Sequence, residues 1–434
     1  MEKPVCAVIL TAINESAMKS TVPAVLHPVC GRSILDYVVN AAEQVADAPP
    51  VVVAPWDDGR IREHLGETYR LIPLEKGQDR GHGFPRAVEC MEDAFGYLFV
   101  LAGNMPLIRG AMLKDMLRYT TENNLKAAVL SGESSESDDM EGSSVYCFDC
   151  LALREAVEKI EEDMLKTGYD PADVLRMLKA AGEKTGVFRT KDVREVMIVD
   201  DRIRLSGAET MMRRRINEFH MARGVTILDP SNTYIGADVK IGQDTTLYPG
   251  NVLEGSTSIG NDCILYPNNR LRNAEIASGA TLQSSVILDS GIGSGTTVGP
   301  YAYIRPGSRI GENVRIGDFV EVKNSVIGEK TKVSHLTYIG DAELGTGINV
   351  GCGVVCVNYD GKKKHRTVIG DHAFIGCNAN LVAPVEVEDS AFIAAGSTIT
   401  ERVPAGSLAI ARARQVNKEG WVEKREQKKT EEKK

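Results

Sequence analysis

The side chains of this chain that can do chemistry are few enough to take in turn, beginning with only seven histidines among 434 residues. An imidazole titrates near neutral pH, which makes histidine the natural base for drawing a proton from an attacking group. Cations are plentiful, and two of them, Arg305 in YIRPGS and Lys323 in VEVKNS, stand eighteen residues apart. Arginine grips phosphate through two parallel donors and lysine acts as a point charge, so a pair on one face suits a phosphorylated small molecule. A solvated basic face is the plainer alternative. The nine cysteines are scattered, with one C-x-x-C spacing at Cys147 and Cys150 and no histidines at metal spacing. They read as core residues or free thiols, not as disulfides or a structural zinc site.

Whether Arg305 and Lys323 share a face depends on the scaffold between them. From Ile235, aliphatic residues recur at every sixth position as Ile241, Leu247, Leu253, Ile259, Leu265 and Leu271. Five-residue steps then shift the register, which runs on to Ile339 and resumes from Ile369 to Ile399. A period of six fits neither a helix nor a single strand. It fits a coil of three short faces, each with one inward aliphatic residue and Gly, Asn or Asp at the corners. The expected fold of this half is a left-handed parallel β-helix of hexapeptide repeats, whose coils share one apolar column. Eighteen residues is then about one coil, which sets Arg305 and Lys323 on neighbouring rungs. The stretch VNYDGKKKHRT breaks the repeat and reads as a loop thrown out from the wall, a common place for function.

The first two hundred residues differ. Val5–Thr11, Val51–Ala54 and Tyr97–Ala102 read as buried strands and Ile34–Val45 as a helix, an alternation that predicts a Rossmann-like α/β domain. AETMMRRRINEFHMAR, Ala208–Arg223, has helical composition, and the charged end KREQKKTEEKK reads as a disordered tail. The expected organisation is an α/β domain over 1–205, a linker helix over 206–224, the β-helix over 225–421 and the tail over 422–434. The net charge of -9, with acids and bases interspersed, gives no general nucleic-acid surface. The apolar run of MEKPVCAVILTA is brief, unlike a signal peptide, and no later stretch is long enough to span a membrane, so a cytoplasmic protein with small ligands is expected.

Four blocks, YIRPGSRIGENVRIGDFVEVKNS, SHLTYIGDAELGTGINVGCG, NYDGKKKHRT and AIARARQVNKEGW, lie in order on this repeat. With the α/β half they resemble the bacterial bifunctional enzymes of UDP-N-acetylglucosamine synthesis, the GlmU family, in which a nucleotidyltransferase domain precedes a β-helical acetyltransferase. The resemblance covers nearly the whole chain. It implies acetyl transfer from acetyl-CoA to the amine of glucosamine 1-phosphate in a homotrimer. His335 matches the family's general base and Glu321 the carboxylate that orients it; Arg305, Lys323, Lys364, Tyr338 and Asn349 match the contacts to the sugar phosphate. Cys352, Asn358, Tyr359, Cys377, Ala395 and Arg412 match the acetyl-CoA contacts. Cys352 replaces the usual Ala, where a backbone N–H serves the thioester, and Cys377 replaces the usual Ser, a change that weakens one hydrogen bond.

The N-terminal half departs from the family pattern. The family opens with L-x-x-G-x-G-T-R-M and a P-K pair, whereas this chain reads LTAINESAMKSTVPAVLHPVCGR. Ile13 and Glu15 replace the glycines, Ala17 the arginine and Ala24 the lysine, while Asp79 and Arg80 replace a Gly-Thr that meets uridine. A carboxylate beside a triphosphate repels it, and a β-branched residue lacks the freedom of glycine. Asn104 stands where the family's Asp binds magnesium and Asp200 where its Asn does, so the carboxylate count survives. The expectation is an acetyltransferase whose uridyltransferase domain is degenerate. Two alternatives are kept: an enzyme with both activities, and a sugar-phosphate-binding pseudoenzyme without turnover.

Overall fold

Runs of valine, isoleucine and leucine with no polar alternation make strands that are buried on both faces, and such strands form the centre of the first unit. The computed structural model describes residues 3–12, 16–55, 59–75, 80–89, 96–132, 144–160 and 168–431. Ile13, Glu15 and Asp79 lie outside them. By its contacts the chain divides into Met1–Phe219 with Tyr234–Ala237, and His220–Thr233 with Asp238–Lys434.

In the first unit Val5–Leu10 lies parallel between Val51–Ala54 and Tyr97–Ala102 in a seven-stranded sheet. Among the described residues Val145–Asp149 alone runs antiparallel to its neighbours, and Thr185–Thr190 forms one edge. Val5, Ala7 and Ile9 pack in one core with Leu35, Val38 and Leu113 of helices Ile34–Glu43 and Gly110–Glu122; Val8 and Leu10 pack in another with Phe84 and Leu175. This is the expected helix–sheet–helix layering. Local signals place the ends: Ser33 accepts from Asp36 N at the start of one helix, and Asp170 closes a capping box before Pro171 in another. The linker helix is Arg202–Met221, beginning earlier than its composition suggests because Asp201 accepts the Arg204 N–H at 2.7 Å.

The second unit is a parallel β-helix. Its strands form three parallel sheets of 11, 10 and 9 members, each strand pairing with the one a coil away. Ile304, Val322 and Ile339 stack in register in one sheet, and Ile316, Val333, Val350, Ile375 and Ile393 in another. Every position of the aliphatic period is buried except Ile241, which is half-buried. Asn313 and Asn324 turn corners with left-handed backbone, a conformation asparagine tolerates better than most residues.

The tail departs from expectation, since Trp421–Glu431 is helical. Its Glu, Lys, Arg and Gln have high helix propensity, with Glu423 in the first turn and Lys428 and Lys429 in the last complementing the helix dipole. Residues 421–429 are all exposed. Among the described residues no helix is long and apolar enough to cross a membrane.

Candidate active site

Parallel stacking repeats each turn one coil along, so residues far apart in sequence become neighbours on one edge. His335 ends the strand Lys332–His335 and lies in register with Asp318. Its Nδ1 is 2.6 Å from Asp318 Oδ1. A carboxylate only accepts, so Nδ1 carries the hydrogen and Nε2 is left as the basic nitrogen. The hydrogen bond with His335 is the largest effect holding the Asp318 carboxyl below its usual range.

The same register, carried two residues on from Val333, Val350, Ile375 and Ile393, sets Cys352 beside His335, then Cys377 and Ala395 on successive coils. Asn378 N donates to Cys352 O at 2.7 Å and Gly396 N to Cys377 O at 2.8 Å. Ala411 is the next member, so Arg412 follows at the end of the stack. Asn349 is exposed on the strand beside that of His335. One edge thus gathers His335 with Cys352, Cys377, Ala395 and Arg412.

Past the corner at Leu336 lies the face that carries the cations. Tyr303 and Ile304 pair with Glu321 and Val322, so Arg305 falls beside Lys323 as the period predicts. Arg305 Nη1 donates to Glu321 Oε1 at 2.7 Å. This corrects the expected role of Glu321, whose carboxylate meets Arg305; the acid on the imidazole is Asp318. Glu321 lies beyond the corner from His335, paired with Tyr338, whereas Asp318 occupies the same turn as His335 one coil earlier.

Lys364 comes from the loop that leaves the wall after Val357, where it bridges Tyr359. The close approach of its side chain to Lys323, then burial, pushes the Lys323 ammonium below the ordinary lysine range. Two ammonium groups held together make a place for an anion. Beneath them Asp341 is buried and accepts from Asn324 at 2.6 Å and from Asn358 at 2.6 Å. Burial raises its pKa, but those hydrogen bonds and the charges of Lys323 and Lys364 outweigh it and leave the carboxyl below its usual range. Asn358 also lies 3.3 Å from the Tyr338 hydroxyl. Asp360 folds the loop by accepting from Lys362 N and Lys363 N at 2.7 Å each, with His365 Nε2 at 2.7 Å. Asp318, Asp341 and Asp360 escape a reading by motif; the coil spacing, 17 residues from Asp318 to His335, is the signal that finds the first.

In the first unit, Asn104 is buried and exchanges hydrogen bonds with Val199, the residue before Asp200. Asn104 Oδ1 and Asp200 Oδ1 are both buried without a hydrogen-bond partner, while Asp200 Oδ2 accepts from Arg204 at 2.8 Å. Orphaned hard oxygens fit magnesium, which takes few protein ligands and completes its shell with water and phosphate. Among the described residues no group of three or more His, Cys, Asp or Glu could hold a metal. Ala24, in place of the family's lysine, is fully buried, and Ala17 is exposed.

Residues 289–324 and 366–401 match the bacterial transferase hexapeptide family (six repeats). Over 97% of this chain and 98% of theirs, the bifunctional GlmU proteins of Clostridium botulinum strain 657 and Clostridioides difficile strain 630 are each 42% identical to it. That of Clostridium novyi is 45% identical over 96% of this chain. The chain belongs to the GlmU family. A solved structure, 4-diphosphocytidyl-2C-methyl-D-erythritol synthase of Anaerococcus prevotii, aligns with 49% of this chain and 99% of its own at 14% identity and a TM-score of 0.38. The GlmU relationship spans both units.

Proposed function

We propose that this protein transfers the acetyl group of acetyl-CoA to the amine of glucosamine 1-phosphate, giving N-acetylglucosamine 1-phosphate for UDP-N-acetylglucosamine synthesis. The observation that carries the proposal is the pairing of a carboxylate-held imidazole on one edge with three converging cations on the next face. His335 Nε2 takes the proton from the amine as it attacks the thioester carbonyl, and CoA leaves. Arg305, Lys323 and Lys364 hold the phosphate, with Tyr338 and Asn349 on the sugar. The stack of Cys352, Cys377, Ala395 and Arg412 receives acetyl-CoA, with Asn358 and Tyr359 from the loop. A backbone N–H at Cys352 serves the thioester oxygen, a role the change from Ala leaves intact.

On this reading the enzyme is a cytoplasmic homotrimer, its catalytic edge and cation face completed by neighbouring copies. The corner between them supports this: Tyr301, Phe319 and Leu336 are bulky, exposed and left-handed in backbone, with the two rings stacked at 5.4 Å. Such residues at such corners invite a covering partner. The test measures acetyl-CoA consumption with glucosamine 1-phosphate, glucosamine 6-phosphate and a UDP-linked amino sugar, for wild type and His335→Ala. Turnover confined to the 1-phosphate and lost in the variant is expected. Absence of turnover in wild type favours a pseudoenzyme, and preference for another acceptor reassigns the cations.

The reading extends to loss of uridyl transfer from the α/β unit, supported by Ile13, Glu15 and the buried Ala24. Retention of both activities is the second reading, and the orphaned oxygens of Asn104 and Asp200 favour it. Pyrophosphate release from UTP, magnesium and N-acetylglucosamine 1-phosphate decides between them.

A further inference from the structure

We propose that Cys352 and Cys377 form an oxidisable dithiol, a modification site that closes to a disulfide between neighbouring coils. They are the same turn position one coil apart, aligned by the Val350–Ile375 pairing and by the bond from Asn378 N to Cys352 O at 2.7 Å. Adjacent strands lie about 4.8 Å apart, inside the roughly 4.4–6.8 Å between Cα atoms that a disulfide spans. Their Cβ atoms point the same way from equivalent turns, so the bridge needs the turns to draw together slightly, a feature of labile bridges more than of structural ones. Cys377 is exposed and Cys352 half-buried, so a small oxidant reaches the pair. The remaining described cysteines differ: Cys30, Cys147, Cys150, Cys263 and Cys356 are buried, and burial raises the thiol of each, as it does that of half-buried Cys6.

The oxidant class is a low-molecular-weight disulfide. The exposed Cys377 thiolate attacks one sulfur of it and expels a small thiolate. The Cys352 thiolate then attacks the mixed disulfide at Cys377 Sγ and expels the second. Two protein thiols are oxidised, one small disulfide is reduced to two thiols, and the two protons go to those leaving groups or to solvent. The consequence for catalysis rests on the acetyl-transfer reading: Cys352 neighbours His335 by register, so pulling Cys352 toward Cys377 displaces the edge that receives the thioester.

The experiment treats reduced full-length protein with glutathione disulfide, alkylates the remaining thiols, and maps the digest by mass spectrometry. The expected result is a linked peptide pair Cys352–Cys377 and loss of two of the nine thiols, with the link absent in both Cys352→Ser and Cys377→Ser. Alkylation of both cysteines in wild type, a separate glutathione on each, or a link between different chains overturns the proposal. In parallel, each protein's acetyl-transfer rate is divided by its own rate before oxidation. The wild-type ratio should fall about tenfold or more and recover with dithiothreitol, while each variant's ratio stays near one. A bridge that forms without changing the wild-type rate refutes the catalytic consequence. If reduced wild type shows no acetyl transfer, the functional reading fails, and the peptide map still decides the dithiol.

Discussion

Replacing Asp318 by Asn separates the two carboxylates that compete for the role beside His335. The substitution keeps the shape but removes the charge that meets Nδ1 at 2.6 Å. Two losses follow. An amide N–H pointing at Nδ1 favours the tautomer with the hydrogen on Nε2, so part of the population lacks a free base. The imidazolium formed during attack also loses its counter-ion. General base catalysis is worth about 10²–10⁴-fold in all, but the pair is half-exposed, at 52% for His335 and 37% for Asp318. Solvent therefore screens the charge, and a loss of about tenfold to thirtyfold in kcat is expected, with KM for both substrates nearly unchanged. Glu321→Gln should do the reverse: it frees Arg305 from its partner and alters KM for the sugar phosphate while kcat holds. Steady-state kinetics with acetyl-CoA and glucosamine 1-phosphate report both. An Asp318→Asn enzyme within twofold of wild type, beside a Glu321→Gln enzyme with kcat reduced a hundredfold, would refute the assignment and return the orienting role to Glu321.

Lys364→Ala should raise KM for glucosamine 1-phosphate about tenfold to a hundredfold, the usual value of a charge-assisted contact, and leave KM for acetyl-CoA within a factor of about two. Ile339→Ala, at a fully buried position of the aliphatic column, should cost about 2–5 kcal/mol in denaturant unfolding of the β-helix, because the coils above and below cannot close the cavity. The backbone N–H of Lys363, then the His365 ring and the N–H of Lys362, lower the Asp360 carboxyl to about 2. A folded pKa below the unfolded value stabilises the loop above about pH 4, and that contribution is lost as pH falls toward 2. The protection of residues 359–366 against amide exchange, taken relative to an unstructured peptide at the same pH, should therefore fall across that window in wild type, and Asp360→Asn should remove that fall.

The architecture was legible because its physics is periodic. An inward aliphatic residue at every sixth position favours a coil of three short faces over a β-sandwich with accidental periodicity, and the buried column follows it through the five-residue steps. The step of eighteen residues likewise foretold that Arg305 and Lys323 share a face. Departures arose where local signals outweigh composition. Asp201 starts the linker helix early, and a charged segment that looks disordered carries helix-forming residues with charges placed to suit the helix ends.

The acid that meets His335 was hidden for a different reason: motif matching names residues, whereas these side chains are arranged by register. In a parallel coil the residue that faces His335 is the one at the same turn a coil earlier, and one corner is enough to turn Glu321 away toward Arg305. The rule extends upward along the edge, where Cys352, Cys377 and Ala395 belong together by turn position, although a 25-residue gap and an excursion of the chain separate the two cysteines in sequence. It also explains how the loop contributes. Lys364 has no place in the aliphatic period, so no spacing argument could bring it to Lys323. Asp360 folds the loop and Asn358 anchors it to the buried Asp341, and together they return that lysine to the wall. The proposed site therefore depends on two kinds of order, the repeat that stacks the turn of His335 and the carboxylates that bend the loop back over the face beside it.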